Sequence, residues 1–497
     1  MARSKRSKQA TIAPVVSDES KRGLSQFEIA QRVVLMVSGL SGATLGLLGF
    51  LSARQVAREQ REQREQVECL SAERKLDSAW DALGGQPMAT SILRYTADVE
   101  RLARATELSR EAEVLCPAQR VRAFRIRAHV LRAQGRNDDA LAAFRGALAL
   151  DPRDASSHEG LGYVLRDMGD HAAALAEFQR ARELSPADAS VLVNLGNALI
   201  AAGRAEEALI AFDEAVRLAP RDVVAHNGRG NALNVLGRYE AALTEFDAAI
   251  RLDHNYASPL GGRGNALLAM GRTREALASF ERALALDPAN PTAHQGRGII
   301  LRAEGRGLEA LSEFETVIQL EPRNAGAQNG RGNSLVDVGR PEEALTAYAA
   351  AIALDAQYAA PHTGLANALM LQKRYPEALS AFDAAIELGA RDTATLSGRA
   401  LALRALERPA LALSACDEML RADPMDPQSH KLRGWVLADL GRFEDALEAF
   451  DRAIAIDPRL LQAHEGRARV LTVLDRKEEA DAAFEAARGG VATKTPK

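Results

Sequence analysis

The sequence predicts an all-α solenoid of helix pairs preceded by one transmembrane helix. Three observations predict it. A proline-or-equivalent position recurs every 34 residues without insertion or deletion: Pro152, Pro186, Pro220, His254, Pro288, Pro322, Ala356, Ala390, Pro424 and Pro458. Small and aromatic residues repeat in the same register. An uncharged segment, residues 33–53, stands ahead of the array. A fixed period of this kind marks units that bury their apolar faces only by stacking on one another.

Residues 1–32 are basic, with Arg3, Lys5, Arg6, Lys8, Lys21, Arg22 and Arg32, and read as a disordered tail. Val33 to Ala53 follows, flanked by Arg32 and Arg54. At about 1.5 Å per residue this segment spans roughly 31 Å, close to the ~30 Å bilayer core. A signal peptide fits less well, because the preceding tail is long and the apolar run exceeds the usual ~7–15 residues. A buried core helix would need an apolar partner segment that is not nearby. Ser38, Gly42 and Gly46 recur every four residues, a spacing that lets two such helices pack closely in lipid and form a homodimer. Basic residues are nearly balanced beside the segment, but the wider tail favours an N-inside orientation with the array outside the cytoplasm. The Ala- and Arg-rich composition is compatible with a GC-rich bacterium, which would make this an inner-membrane protein.

Residues 54–83 contain Arg58-Glu59-Gln60-Arg61-Glu62-Gln63-Arg64-Glu65-Gln66, polar all round. The i, i+4 pairs Arg58–Glu62 and Arg61–Glu65 support a solvated helical stalk or a weak coiled coil. Gly84-Gly85-Gln86-Pro87 breaks it. Residues 84–120 read as a degenerate capping repeat, with Ala105, Ala112 and Pro117 in register and Ser109 in place of an aromatic. Cys69 and Cys116 both precede the array, and Cys416 lies within it. Free thiols are the favoured reading, a Cys69–Cys116 disulfide staying open if this region is extracytoplasmic.

Eleven units tile residues 121–494, followed by a short tail, 495–497. The third unit contains Leu195-Gly196-Asn197-Ala198-Leu199, Gly203-Arg204, Glu207-Ala208-Leu209, Phe212, Ala215 and Pro220. Unit position 8 is always Gly or Ala, from Ala128 and Gly162 to Ala468, and position 20 is always Ala. Four residues later stands Phe144, Phe178, Phe212, Phe246, Phe280, Phe314, Tyr348, Phe382, Phe450 or Phe484, on the same helical face as that alanine. Cys416 takes the aromatic position in unit nine, beside Met419, so this unit is expected to be the loosest. Turn glycines at 135, 169, 203, 237, 271, 305, 339 and 441 end the first helix of their units. Pro341, Pro376 and Pro409 suit the first turn of the second helix.

Those motifs resemble the tetratricopeptide repeat (TPR) family over about three quarters of the chain. The resemblance implies antiparallel helix pairs wound into a right-handed superhelical α-solenoid, whose first helices line a concave groove that holds proteins or peptides. Unit positions 2, 5, 6, 9, 12 and 13 would face that groove. Position 9 carries Asn197, Asn231, Asn265, Asn333 and Asn367, and position 5 carries Asn227, Gln295 and Asn329. Their amides can bond a peptide backbone of any sequence. Position 6 is glycine eight times, from Gly160 to Gly466, which suggests a smooth groove floor or close helix packing. Arg125, Arg132 and Arg166, with Arg122, would form a cationic cluster for an acidic tail. The family's carboxylate clamp is not matched, since Arg125 and His129 stand where its first pair would be. Histidines at position 4 of alternate units, His158, His226, His294, His362 and His430, read as packing residues.

Composition narrows the function further. With net charge −4 and interspersed signs, nothing points to nucleic acid. No P-loop, GxSxG, HExxH, kinase or dinucleotide signature occurs, and no metal spacing, so neither catalysis nor a cofactor is expected. The expected function is a membrane-tethered scaffold that gathers client proteins in assembly of a membrane or envelope complex. Alternatives are a structural protein self-assembling through its last repeat, or a substrate-presenting subunit of a separate transferase.

Overall fold

The computed structural model describes residues 42–82 and 99–488. Among them are 24 α-helices, one short 3-10 helix and no strand. They form two compact bodies, residues 1–184 and 185–497. The first contains α1 (Gly42–Ala82), α2 (Val99–Leu115), α3 (Arg120–Ala133), α4 (Asn137–Leu150) and the helix pair of unit two. The second holds units three to eleven, each a pair such as Ala189–Ala201 and Ala205–Leu218.

Each helix starts and stops for a local reason. Asp or Asn just ahead of a unit caps its first helix: Asp222 accepts from the backbone N–H of Val224 and Ala225, Asn290 from Ala293, and Asp392 from Thr395. The turn glycines end it in the left-handed region, with φ between 71° at Gly237 and 87° at Gly169. Units eight, nine and eleven lack this glycine, yet Lys373, Glu407 and Asp475 adopt the same conformation at φ 59°, 56° and 56°. A Cβ costs about 1–2 kcal/mol there, so the stack imposes the turn at these sites. Pro341, Pro376 and Pro409 do fall at the first or second helical position.

The helices are held by an interlock of rings and glycines. Within each body, rings of the second helices lie against position 8 of their own unit and position 6 of the next. Phe246 touches Gly230 and Gly262, Phe280 touches Gly264 and Gly296, and Phe450 touches Gly434 and Gly466. At all eight position-6 glycines a Cβ would fall within 3 Å of ring carbons of the preceding unit. The groove-floor reading of these glycines is therefore corrected: the space above them is filled by Phe144, Phe212, Phe246, Phe280, Phe314, Tyr348, Phe382 and Phe450. Burying such a ring is worth roughly 1.5–3 kcal/mol, more than the ~1 kcal/mol a helical glycine costs.

Exceptions to the interlock are compensated. In unit nine Cys416 replaces the ring, and position 6 of unit ten is Leu432 instead of glycine. Cys416, Met419 and Leu432 share one buried cluster with Leu396 and Val436, so the expected looseness is filled from the neighbouring unit. Burial pushes the Cys416 thiol up to about 12, which leaves it an inert core residue. Before unit one the same exchange occurs: Ser109 stands at the aromatic position and Ile126 at the glycine position, both buried. Phe484, in the last unit, is only partly buried, unlike the other rings.

Two expectations for the N-terminal body are corrected. Residues 58–66 are exposed, but the stalk does not stay solvated up to its break, and the capping repeat does not begin after that break. The C-terminal part of α1 is itself the first helix of the cap, with Ala72, Leu76 and Ala79 buried against Leu102, Ala105 and Ala112 of α2. Trp80 of α1 also meets His129 of α3 edge-on, with ring centroids 5.6 Å apart. The favoured free thiols are likewise replaced by a Cys69–Cys116 disulfide, which ties α1 to the end of α2. Both cysteines are drawn together because α1 and α2 pack as a pair. Among the described residues no helix is long and apolar enough to cross a membrane. The 33–53 segment lies partly outside them: Ser38 is not described, whereas Gly42 and Gly46 fall in the first turns of α1.

The interlock makes two outcomes expected in thermal melts. Gly262→Ala lowers Tm, overpacking costing about 1–3 kcal/mol where helix propensity alone would gain roughly 1 kcal/mol. Cys416→Phe and Leu432→Gly each destabilise, and the double variant recovers most of the loss, giving a coupling of at least about 1 kcal/mol in a double-mutant cycle.

Candidate binding face

Within the second body the first helices of successive units lie side by side, Val223–Val235 against Ser258–Ala269, then Pro291–Ala303, then Ala325–Asp337. Positions 9 and 13 are one turn apart on the same helix face. Asn265 and Asn367 at position 9 are exposed, and Asn197, Asn231 and Asn333 are half-buried. Between them stand exposed aliphatic side chains: Ile299 and Leu401 at position 9, and Val235, Leu371 and Val473 at position 13. The sequence reading missed this aliphatic component, although position 13 is repeatedly Val, Leu or Ala. Amides that satisfy a backbone, beside aliphatics that exclude water, can hold an extended or helical protein segment.

The candidates at position 5 do a different job. Gln295 accepts from Asn324, the cap of the next first helix, at 3.5 Å, and Asn329 donates to Tyr358 at 3.4 Å. Arg125 makes the same 29-residue reach to Asp154, the cap of unit two, at 3.1 Å. In these three units position 5 ties the unit to the helix start of the next. Asn227 is buried, and its Oδ1 has no hydrogen-bond partner among the described residues. At position 9 Asn333 is also engaged, accepting from the Tyr348 hydroxyl at 2.8 Å.

The arginine cluster of units one and two is paired within the chain. Arg132 binds Asp167 at 2.7 Å and lies over the Tyr163 ring, and Arg166 reaches Asp167 at 3.6 Å. Arg122 binds Asp77 of α1 at 2.6 Å. Burial, opposed by Asp167, lowers the Arg166 guanidinium below the ordinary arginine value. The 35-residue reach from Arg132 to Asp167 recurs in Arg302–Asp337 and Arg404–Asp439, so it too is a stacking tie. Trp435 sits on the same face in unit ten, flanked by Arg404 and Arg469 at 5.9 and 5.6 Å from its ring.

The position-4 histidines are brackets. Nδ1 of His158, His226 and His294 meets Glu177, Glu245 and Glu313 on the second helix of the same unit. Their Nε2 atoms meet the carbonyls of Pro152, Pro220 and Pro288. Burial alone would raise Glu245, but bonds from Arg229 and His226 outweigh it and hold the carboxyl below its usual value. Arg229, Arg263, Arg399, Arg433 and Arg467 each pair with an Asp of the preceding unit. Among the described residues no cluster of His, Cys, Asp or Glu is placed to hold a metal.

A chain of antiparallel helix pairs, interlocked by rings and presenting its first helices as one face, is a helix-pair repeat protein. The Tetratricopeptide repeat family matches residues 127–189, 193–257, 262–328, 329–393 and 397–460, and the chain belongs to that family. No curated protein matches it. Its structure is similar to that of the Cut9–Hcn1 hetero-tetramer of the APC/C, with TM-score 0.50 and 14% identity over 76% of this chain and 95% of that one. That likeness concerns the fold alone. A tetratricopeptide repeat protein from Parabacteroides merdae aligns with TM-score 0.38 and 20% identity, covering 50% of this chain and 98% of that one. MamA from Desulfovibrio magneticus aligns with TM-score 0.32 and 21% identity, covering 33% and 93%.

His129 gives the N-terminal body a pH dependence. Burial, then the charges of Arg132 and Arg125, lower its pKa from 6.5 to about 3. The unfolded chain binds this proton more readily, so the contribution is complete above about pH 6.5 and is lost progressively down to about 3. His129→Phe is expected to lose less Tm than the parent between pH 7 and 4 when the two melts are compared.

Proposed function

We propose that this TPR protein is a membrane-tethered scaffold whose first-helix face holds client proteins outside the cytoplasm, in assembly of a membrane or envelope complex. The observation that carries the client reading is the strip of Asn265, Asn367, Ile299, Leu371 and Leu401, which stays exposed while position 5 and position 12 side chains are engaged in stacking. The strip carries amides and aliphatics, so it favours an uncharged, apolar-anchored segment over an acidic tail. Nothing in the face resembles a catalytic constellation.

Tethering is supported by the uncharged run from Val33 to Ala53 and by the continuity of α1 from Gly42 into the capping repeat. A membrane helix entering α1 would deliver the array directly onto the membrane surface. The Cys69–Cys116 disulfide supports the side: such bonds persist in oxidising compartments and are rare in the cytosol. With the basic tail inside, both features agree on an array beyond the membrane, the periplasm in a Gram-negative bacterium.

Two measurements test this. Thiol labelling of intact cells, with and without prior reduction, reads the compartment: Cys69 and Cys116 should resist labelling until reduced, and free thiols in the cell would overturn the extracytoplasmic placement. Crosslinking in cells reads the face. Leu371→Glu with Leu401→Glu should lower client capture at least tenfold without changing Tm, whereas unchanged capture would move the client site elsewhere.

A further inference from the structure

The outer side of α1 carries a second pattern. Ala53, Val56, Gln60, Gln63, Val67 and Leu70 are spaced three and four residues apart, the a and d positions of a heptad repeat. At about 100° per residue this line lies roughly 180° from Ala72, Leu76 and Ala79, which pack on α2. The side fastened to the capping repeat therefore leaves the other free. Val67 and Leu70 stand 62% and 51% exposed on it, both large apolar side chains left largely uncovered among the described residues. The same spacing runs N-terminally through Gly49, Gly46 and Gly42.

We infer that α1 pairs with α1 of a second copy of this chain as a parallel two-stranded coiled coil over residues 53–70. The charges flanking the line select that partner. Glu59 falls at a g position and Arg64 at the e position five residues on, the pair that meets across a parallel dimer. In a symmetric parallel dimer this contact forms twice, Glu59 to the partner's Arg64 and the reverse. An antiparallel pairing sets g positions against g and e against e, so Glu59 and Arg64 would not meet across it. Arg58, Arg61, Glu62 and Glu65 fall at the outward b, c and f positions, where Arg58 binds Glu62 within the helix at 2.9 Å. Gln60 and Gln63 place polar groups in the seam, which weakens the pair and favours two strands and a fixed register.

The pairing does not depend on which clients the array holds. It sets two arrays side by side, each joined to the coil through the Cys69–Cys116 linkage, so that one assembly offers two client faces. Parallel orientation is also the one that two chains rooted in the same membrane require.

The test is the mass of the oxidised full chain in detergent by analytical ultracentrifugation, with non-reducing electrophoresis to exclude covalent dimers. The expected mass is twice 53.4 kDa. Val67→Glu with Leu70→Glu should give a monomer whose melt is unchanged. Glu59→Arg should raise the dimer dissociation constant about fivefold, and adding Arg64→Glu should restore it. A monomeric parent, or a dimer indifferent to the Val67 and Leu70 changes, overturns the inference. A charge swap that fails to restore pairing overturns the parallel arrangement.

Discussion

The stacking of aromatic rings between small helix positions, two glycines in the case of Phe212, Phe246, Phe280, Phe314, Tyr348 and Phe450, is the constraint on which the rest depends. Every ring from Phe246 to Phe314 is shared between its own unit and the next, so no unit closes its core alone. Removing the Cβ at two helix positions lets the ring lie flush against both backbones. That close approach brings position 5 within reach of the next helix cap and position 12 within reach of the next position 13. The ion pairs and amide bonds between units, Arg132–Asp167, Arg302–Asp337 and Gln295–Asn324 among them, are consequences of the spacing the rings set.

This division of labour shapes the candidate face. Stacking engages position 5 and position 12 side chains, and position 13 where it is Asp167, Asp337 or Asp439. What remains at positions 9 and 13 is an alternation of amides and aliphatics with little charge. Such a surface gains affinity from water exclusion and from backbone hydrogen bonds that any sequence can make. It suits a client held by shape and apolar anchors more than one selected by charge. Many of the arginines are spent on carboxylates of their own or the neighbouring unit.

Much of the array was legible from the residues. The 34-residue register, the turn glycines, the helix-start prolines and the buried aromatics all stand where the period placed them, because the same contacts, within a pair and to the next, recur in every period. The candidate face was legible in part. The exposed asparagines Asn265 and Asn367 were found by position, but Asn227, Gln295, Asn329 and Arg125 were counted as groove residues although they bond to, or lie buried against, their surroundings. The partners of Gln295, Asn329 and Arg125 lie 29 residues away, a distance that a helix-face argument does not see.

The sequence alone determined the helix-pair repeat, its length and its register, since a fixed period of small and aromatic residues leaves the chain one way to bury them. Tertiary structure decided what the position-6 glycines are for, because only packing shows that the ring above each comes from the preceding unit. It decided also that Leu432 answers Cys416, that α1 completes the capping repeat, and that Cys69 meets Cys116. In each case the deciding contact joins helices that no local pattern pairs.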